Sequence, residues 1–376
     1  MNIISFLVTY LSVAAVYALL AISMNIDYGW AGIPDFGKAA FIAAGGIAAA
    51  IVATRIVPPL MLHMHPANPS KLSFFTYYNG KILPAITAHP IDTWIVFIIS
   101  ILLGGIIAAG FAVIFSYPAI RLKEDYLAIA LLMAAQIVWL FLRVYTPIMG
   151  GTMSMTLPSP SFKPIARALF HSTSPSAIDA AKALFLWGLV GVFLYYAEKQ
   201  MNSPFGRMLR MVRDDEYAAA ALGKNVARAR LESLIVASFL AGVAGAVYVL
   251  IHFSSVNPDY FMPDLTFFVL TLVLVGGVGN NIGSIIGALL IALLYRASYI
   301  FGTSLGFSWG SYLYYMIIGL AILITIFVRP NGILPEKPVR TPAWDVYALV
   351  RGKQPWFLRR ILMRGRGKVN TGEKSE

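Results

Sequence analysis

Runs of apolar residues, many about twenty residues long, alternate with short polar segments along this chain of 376 residues. About 20 apolar residues in an α-helix suffice to cross the hydrocarbon core of a membrane. The short alternating segments of a membrane β-barrel do not occur, and a spanning helix satisfies its own backbone hydrogen bonds. The pattern therefore predicts an all-α, polytopic transmembrane helical bundle of about nine spans, in a range of roughly eight to ten.

The predicted spans are separated by loops of unequal length. They run approximately over Ile3 to Ile26, Phe36 to Val57, Thr93 to Ile120, Asp125 to Tyr145, Lys182 to Ala197, Leu231 to Phe253, Leu265 to Val278, Ile282 to Phe301 and Trp309 to Val328. Long loops are expected before Thr93 and from Pro147 to Ala181, and a short one from Ser254 to Asp264. The stretch from Val278 to Ile282 is either a tight turn or a break between paired half-helices, which would change the count by one.

Basic residues are distributed unevenly, although the composition is 59% hydrophobic and the net charge is +12. From Arg329 onward eleven Lys/Arg stand against four Asp/Glu, and cytoplasmic segments of membrane proteins carry such an excess. With this tail inside the cell, nine spans place residues 199–230 inside, and the long loops and the N-terminus outside. We expect a transmembrane domain over 1–330 and a basic cytoplasmic tail over 331–376 that faces anionic lipid rather than nucleic acid. Within the tail, Trp356 to Arg364 could form a short amphipathic helix.

The most highly charged internal segment, residues 199–230, is called here the charged segment. Ser203 can cap a helix that begins at Pro204, where a missing N–H costs nothing. A second helix start is expected at Asp214, followed by the helix-forming run Tyr217 to Leu222. Gly223 accepts the left-handed conformation that ends a helix. These signals predict two short helices with a sharp bend, which indicate a docking surface rather than a solvated loop.

Catalytic and nucleotide-binding signatures do not occur in the sequence. There is no cysteine, no Walker A motif and no serine-hydrolase or zinc-protease motif. His63 and His65 resemble a metal-binding pair, but no further ligand accompanies them in their loop. We therefore expect neither an enzyme nor a cofactor or metal site in this chain.

Few polar or ionisable residues fall within the predicted spans. Arg296 in the eighth span and Gln136 in the fourth are candidates for a translocation path, because a buried charge normally faces protein or water. Asn25, Asp27 and Asp35, at the boundary of the first two spans, are expected to stay hydrated. With no proton relay in the spans, the energy for active transport must arrive from elsewhere, and the charged segment is the natural receiver.

Glycines cluster late in the chain. Gly279, Gly283 and Gly287 recur at every fourth position, and Gly276 and Gly277 precede them. On one face of a helix this spacing allows another helix backbone to approach closely. The cluster therefore predicts a tight helix–helix contact.

Four blocks of the sequence resemble the permeases of ABC importers for branched-chain amino acids, specifically the M-type subunit. They are Ala31 to Phe41, Pro118 to Ala130, Ser203 to Gly223 continued by Ser238 to Ala246, and Gly276 to Gly287. The match covers about Met1 to Pro330 in order, and the Gly150–Gly151–Thr152 turn also looks similar. A histidine often stands in the family where this chain has Lys38.

The resemblance implies a permease subunit with several partners. These are two cytoplasmic ABC ATPases that bind the ATP, a second, related H-type permease, and an extracytoplasmic substrate-binding protein. The charged segment would be the coupling segment, and the residues carried over onto its surface are Ser203, Pro204, Arg207, Asp215, Glu216, Ala218, Ala219, Leu222 and Gly223. Many relatives have a glutamate at the position of Ala220, so a contact specific to that acid is not expected here.

A second hypothesis from another class is a stand-alone secondary transporter or channel for a small solute. It requires polar clusters at mid-membrane or broken helices in paired halves. The sequence supports it only through Arg296 and the break near Gly279. The substrate itself is left open, because related permeases serve other amino acids, amides and urea.

Overall fold

The computed structural model describes residues 3–58, 78–119, 122, 124–146, 154–304 and 310–336. The chain divides into one compact unit, Met1–Pro335, and a second unit, Glu336–Glu376. The proposed amphipathic helix of the tail, the His63/His65 pair and the Gly150–Thr152 turn lie outside the described residues.

Helices dominate the described part of the chain. They are α1 (Ile3–Met24), α2 (Lys38–Ile51), α3 (Leu83–Ala88), α4 (Pro90–Ala119), α5 (Glu124–Val144), α6 (Lys163–Phe170), α7 (Pro175–Met201), α8 (Pro204–Asp214), α9 (Glu216–Ala221), α10 (Val226–Val247), α11 (Asp264–Gly276), α12 (Asn281–Ser304) and α13 (Gly310–Val328). Turns of π-helix extend three of them, over Asn25–Trp30 after α1, Val52–Ile56 after α2 and Tyr248–Phe253 after α10, and a fourth, Tyr78–Ile82, precedes α3. Two short strands, β1 (Met155–Thr156) and β2 (Ser255–Val256), pair antiparallel.

Seven helical segments in the described residues are long and apolar enough to cross a membrane. They are Phe6–Trp30, Lys38–Ile56, Pro90–Tyr117, Asp125–Val144, Pro175–Met201, Val226–Phe253 and Asn281–Ser298. Two more apolar segments, Asp264–Gly276 and Met316–Val328, are shorter. The chain is therefore a multi-pass helical membrane protein, in which the long helices account for seven of the approximately nine expected crossings.

The fifth predicted span is longer than its apolar core. We expected Lys182 to Ala197, whereas α7 begins at Pro175 and ends at Met201. Ser174 has an extended backbone and its hydroxyl accepts from the Ala177 N–H, so the helix starts within the polar loop. The same loop contains α6, which composition alone had indicated as irregular.

Three helices cross at glycines near the middle of the bundle. Gly45 of α2 lies against the backbone of Gly242 in α10, and a Cβ on Gly104 of α4 would lie 2.8 Å from the Gly45 carbonyl oxygen. Gly245 of α10 likewise lies against the Ile42 carbonyl. Because these positions lack side chains, the three backbones approach closely enough to form the centre of the core.

The segment after β2 enters the bundle rather than remaining an external loop. Its 3₁₀ turn, Pro258–Phe261, brings the Phe261 ring against Gly46. A Cβ added to Gly46 would lie 2.8 Å from the Cζ atom of that ring. Gly46 lies about halfway along the Lys38–Ile56 span. The helix α11 that follows has 13 residues, hence a length of about 20 Å, and it starts at this depth. The expected short loop from Ser254 to Asp264 thus enters the bundle before it leads into a half-length helix.

Candidate functional site

The charged segment folds as two short helices joined by one extended residue. Ser203 caps α8, as predicted, with its Oγ accepting from the Gly206 N–H at 3.3 Å. The second start lies one residue later than predicted, because Asp214 is still the last residue of α8. Asp215 has the extended backbone that a cap requires, and its Oδ1 accepts from the Ala218 N–H at 2.9 Å.

Helix α9 presents most of its surface to solvent. Two apolar side chains are strongly exposed, Tyr217 at 86% and Leu222 at 70%. Gly223 adopts the left-handed conformation predicted for it, with φ of 76°. Of the residues expected at the docking surface, Pro204, Arg207, Asp215, Ala218, Leu222 and Gly223 are exposed. Ala219 is not, because it lies on the face of α9 that packs inward and is fully buried.

A salt bridge holds α9 against the start of α10. Arg230 donates from Nη2 to Glu216 Oε2 at 2.8 Å, and the Arg230 side chain is only 7% exposed. Glu216 is therefore engaged within the chain. The arginine of this pair is buried, whereas both side chains of the pair Arg228–Glu232 are exposed.

Arg213, near the end of α8, connects the charged segment to the first span. Its Nη1 donates to the carbonyl oxygen of Gly29, in the π-helical turn that ends that span. Gly32 adopts φ of 67°, and a Cβ on it would lie 2.6 Å from Arg213 Cγ. The absence of a side chain at Gly32 thus lets the arginine pass to Gly29.

Two aspartates that we expected to stay hydrated lie fully buried beside this contact, together with Lys38. Lys38 Nζ lies 2.6 Å from Asp27 Oδ2 and 3.7 Å from Asp35 Oδ2, and all three side chains have no exposed surface. The expectation that Asp27 and Asp35 stay hydrated was therefore wrong. Burial raises the pKa of Asp35, although the Lys38 charge opposes that shift. A lysine within eleven residues of two aspartates at a junction of spans was the signal that could have revealed the cluster.

Asn25, also expected to be hydrated, is fully buried and connects three helices. Its Oδ1 accepts from the Gly279 N–H at 2.9 Å, and its Nδ2 donates to Asn281 Oδ1 at 2.9 Å. Asn281 in turn donates to Glu198 Oε1, near the end of α7, at 3.1 Å. The network joins the ends of α1, α7 and α12 directly before the charged segment begins.

The late glycines divide into two groups. Gly276, Gly283 and Gly287 lie where α11 and α12 meet, and a Cβ on Gly287 would collide with the Leu272 carbonyl. Gly277 and Gly279 lie in the turn before α12, with φ of 127° and 78°. Gly279 is therefore not on the helix face we expected, because α12 begins only at Asn281. Of the two alternatives for residues 278–282, the structure has the tight turn.

The two path candidates are not joined by a hydrogen bond within the described residues. Gln136 is exposed on α5. Arg296 is half-buried on α12, with its Cζ 5.9 Å from the centre of the Phe6 ring. No group of three or more potential metal ligands occurs among the residues that the structure describes.

Comparison with known proteins agrees with the resemblance seen in the sequence. A family model described as "Branched-chain amino acid transport system / permease component" matches residues 6–326. "Probable branched-chain amino acid transport permease protein LivM" of Methanocaldococcus jannaschii is 30% identical over 334 residues, 87% of this chain and 92% of that protein. "High-affinity branched-chain amino acid transport system permease protein LivM" of Escherichia coli K12 is 25% identical, over 85% of this chain and 68% of its own length. No solved structure matches the chain. The family match covers most of the chain and all the spans discussed above, so this chain belongs to the family of branched-chain amino acid transport permeases.

Proposed function

We propose that this chain is a transmembrane permease subunit of an ABC importer for branched-chain amino acids, without catalytic activity or a cofactor of its own. The observation that carries the proposal is the hydrogen bond that Arg213 of α8 donates to the Gly29 carbonyl at the end of the first span. It lies beside the buried Lys38 and its two aspartates. An exposed, capped helix pair is thereby connected to the interior of the bundle. The family and its relatives support the substrate class.

The proposed partners are those expected for an ABC importer, and membership of the permease family supports them. Two ABC ATPases bind ATP in the cytoplasm, and one of them receives α9 through the exposed Tyr217 and Leu222 side chains. A second, related H-type permease completes the path, and an extracytoplasmic binding protein delivers the substrate. The ATPases can drive the permease only through contacts that differ between their two states.

The orientation has nine crossings, with α11 and α13 among them. The C-terminus and the charged segment lie in the cytoplasm, and the β1–β2 pair lies outside. The excess of basic residues in residues 199–230 and in the tail supports this orientation.

Co-purification from the native membrane tests the assignment of partners. We expect the tagged chain to bring down ATPases and a second permease, and expect Tyr217→Ser with Leu222→Ser to release the ATPases. Leu122→Ser with Tyr126→Ser is the matched control, because these residues are exposed near the turn before α5, on the same predicted side. Equal recovery of ATPase with both pairs would remove α9 from the docking surface.

The alternative of a stand-alone secondary transporter or channel predicts a different result. The chain would then purify without ATPases and would move solute unaided. Arg296 and the turn at Gly279 would become the residues to investigate. The substitutions on α9 would leave transport unchanged in that case.

A further inference from the structure

A cavity of about 260 Å³ lies where the segment from Ser254 to Asp264 meets the spans. Tyr17 of α1, Tyr248 at the end of α10 and Phe268 of α11 contribute to its wall, and Ile318 of α13 closes one side. Phe261, directly before this part of the chain, reaches Gly46 at mid-span. The cavity therefore lies within the thickness of the membrane, next to the first turn of a half-length helix.

Two carboxylates face this cavity without a partner. Asp259 and Asp264 both line it, and neither forms a salt bridge or a side-chain hydrogen bond with any described residue. Both side chains are exposed, and a carboxylate at membrane depth normally faces protein or a water-filled path, so the pair marks a place where an ion or substrate passes. Two negative charges favour a ligand that carries a cationic group.

A largely buried tyrosine that lines the cavity provides a second, independent indication. Tyr248 is 8% exposed, and its hydroxyl makes no hydrogen bond to the part of the chain that the structure describes. A buried polar group normally has a partner, so one that lines a cavity is available to a ligand. The tyrosine faces here can also contact a cation favourably.

The remaining wall is apolar. Leu265, Phe268 and Ile318 line it, and Phe268 is held edge-on against Tyr17 at a centroid distance of 4.7 Å. The volume lies just below the range of roughly 300–1,000 Å³ that is typical of pockets for drug-sized ligands. A small molecule with one ammonium group, one acceptor group and a short aliphatic side chain matches this lining.

From this lining we propose that the cavity is a substrate site for an aliphatic α-amino acid during its passage through the permease. Asp264 and Asp259 bind the α-ammonium group, Tyr248 donates to the α-carboxylate, and the apolar wall holds the side chain. This inference rests on the proposed function and locates the substrate that the importer carries.

Direct binding to the full chain in lipid nanodiscs tests the site. Radiolabelled L-leucine is the probe, and 3-methylbutan-1-amine and 4-methylpentanoate are competitors that lack the carboxylate and the ammonium group, respectively. We expect the amine to compete better than the acid. Asp264→Asn should weaken leucine binding by about tenfold or more, as loss of a charged hydrogen bond does.

Matched variants control for general damage. Asp92→Asn changes a half-buried carboxylate in the first turn of α4, away from the cavity lining, and Tyr195→Phe changes a tyrosine that is 70% exposed on α7. Both should bind leucine normally, whereas Asp264→Asn and Tyr248→Phe should not. If Asp264→Asn fails to fold, Asp259→Asn provides the same test, since that residue lies in the loop before α11.

The possible failures can be told apart. Normal leucine binding in the cavity variants, no binding by the wild-type chain, or equal competition by the acid and the amine would overturn the cavity site. None of these results would affect ATP-driven uptake by the complex. Absence of leucine uptake by the wild-type complex would instead count against the proposed function.

Discussion

Arg213 donates a hydrogen bond to the backbone carbonyl of Gly29, across 184 positions of sequence. The contact links the last turn of α8 to the end of the first span, with Lys38 and its two aspartates buried alongside. A displacement of α8 therefore cannot leave this end of the bundle unchanged. This contact is the physical basis on which we propose a coupling role for the charged segment.

Replacement of Arg213 should uncouple the segment from the spans. We expect Arg213→Gln to lower ATP-dependent leucine uptake by about tenfold, because the shorter amide loses a charge-assisted hydrogen bond. Arg228→Gln is the control, since Arg228 is 77% exposed and bonds only to Glu232 among described residues. Leucine uptake is measured in cells that carry equal amounts of each variant in the membrane. Normal uptake by both variants would show that the contact between Arg213 and Gly29 is not needed for coupling.

Loss of Lys38 should destabilise the whole bundle. Lys38→Met leaves two buried carboxyls without their cation, and breaking such a pair typically costs about 3–5 kcal/mol. Asp27→Asn added to Lys38→Met should recover part of that loss, because fewer charges then stay uncompensated. Thermal unfolding in detergent measures both, with the exposed Lys199→Met as control. Equal melting temperatures for all variants would contradict the buried cluster.

Replacement of a glycine by alanine should lower stability only where another backbone lies in close contact with that glycine. Gly287→Ala forces α11 and α12 apart and should destabilise the protein by about 1–3 kcal/mol. Gly191→Ala, at a position with open space around it, should be neutral or slightly stabilising. A melting experiment in which the two substitutions had the same effect would refute the close approach.

The cap of α9 can be tested by two adjacent substitutions. Asp215→Ala removes the acceptor for the Ala218 N–H and should cost the helix about 1 kcal/mol. Asp214→Ala removes a pair with Arg213 in which the acid is 69% exposed, and it should have little effect on the helix. Hydrogen exchange at residues 216–221 should accelerate in the Asp215→Ala variant alone. Acceleration in the Asp214→Ala variant would show that Asp214 is the residue that caps the helix.

Local signals in the sequence were sufficient for the two short helices of the charged segment, apart from one residue at the second cap. Ser203, Pro204 and Gly223 act through their immediate neighbours, so their roles follow from sequence order. The one-residue error at Asp214 arose because two adjacent acids can each cap a helix. Only the backbone conformation shows that Asp215 does so.

The features that were missed depend on contacts between distant segments. Asp27 and Lys38 are adjacent to a polar turn, which indicates hydration unless the surrounding helices are known. The depth reached by Phe261 depends on Gly46, more than two hundred positions earlier in the chain. Likewise, the crossing of Gly45, Gly104 and Gly242 involves three spans, and no local spacing reveals it.

Leucine uptake into proteoliposomes tests the central claim most directly. The complex co-purified with this chain is reconstituted with its binding protein, with and without ATP, beside the same complex lacking Tyr217–Leu222. The account predicts uptake that requires ATP and is abolished by the deletion. Leucine uptake without ATP by the chain alone, unaffected by the deletion, would contradict it.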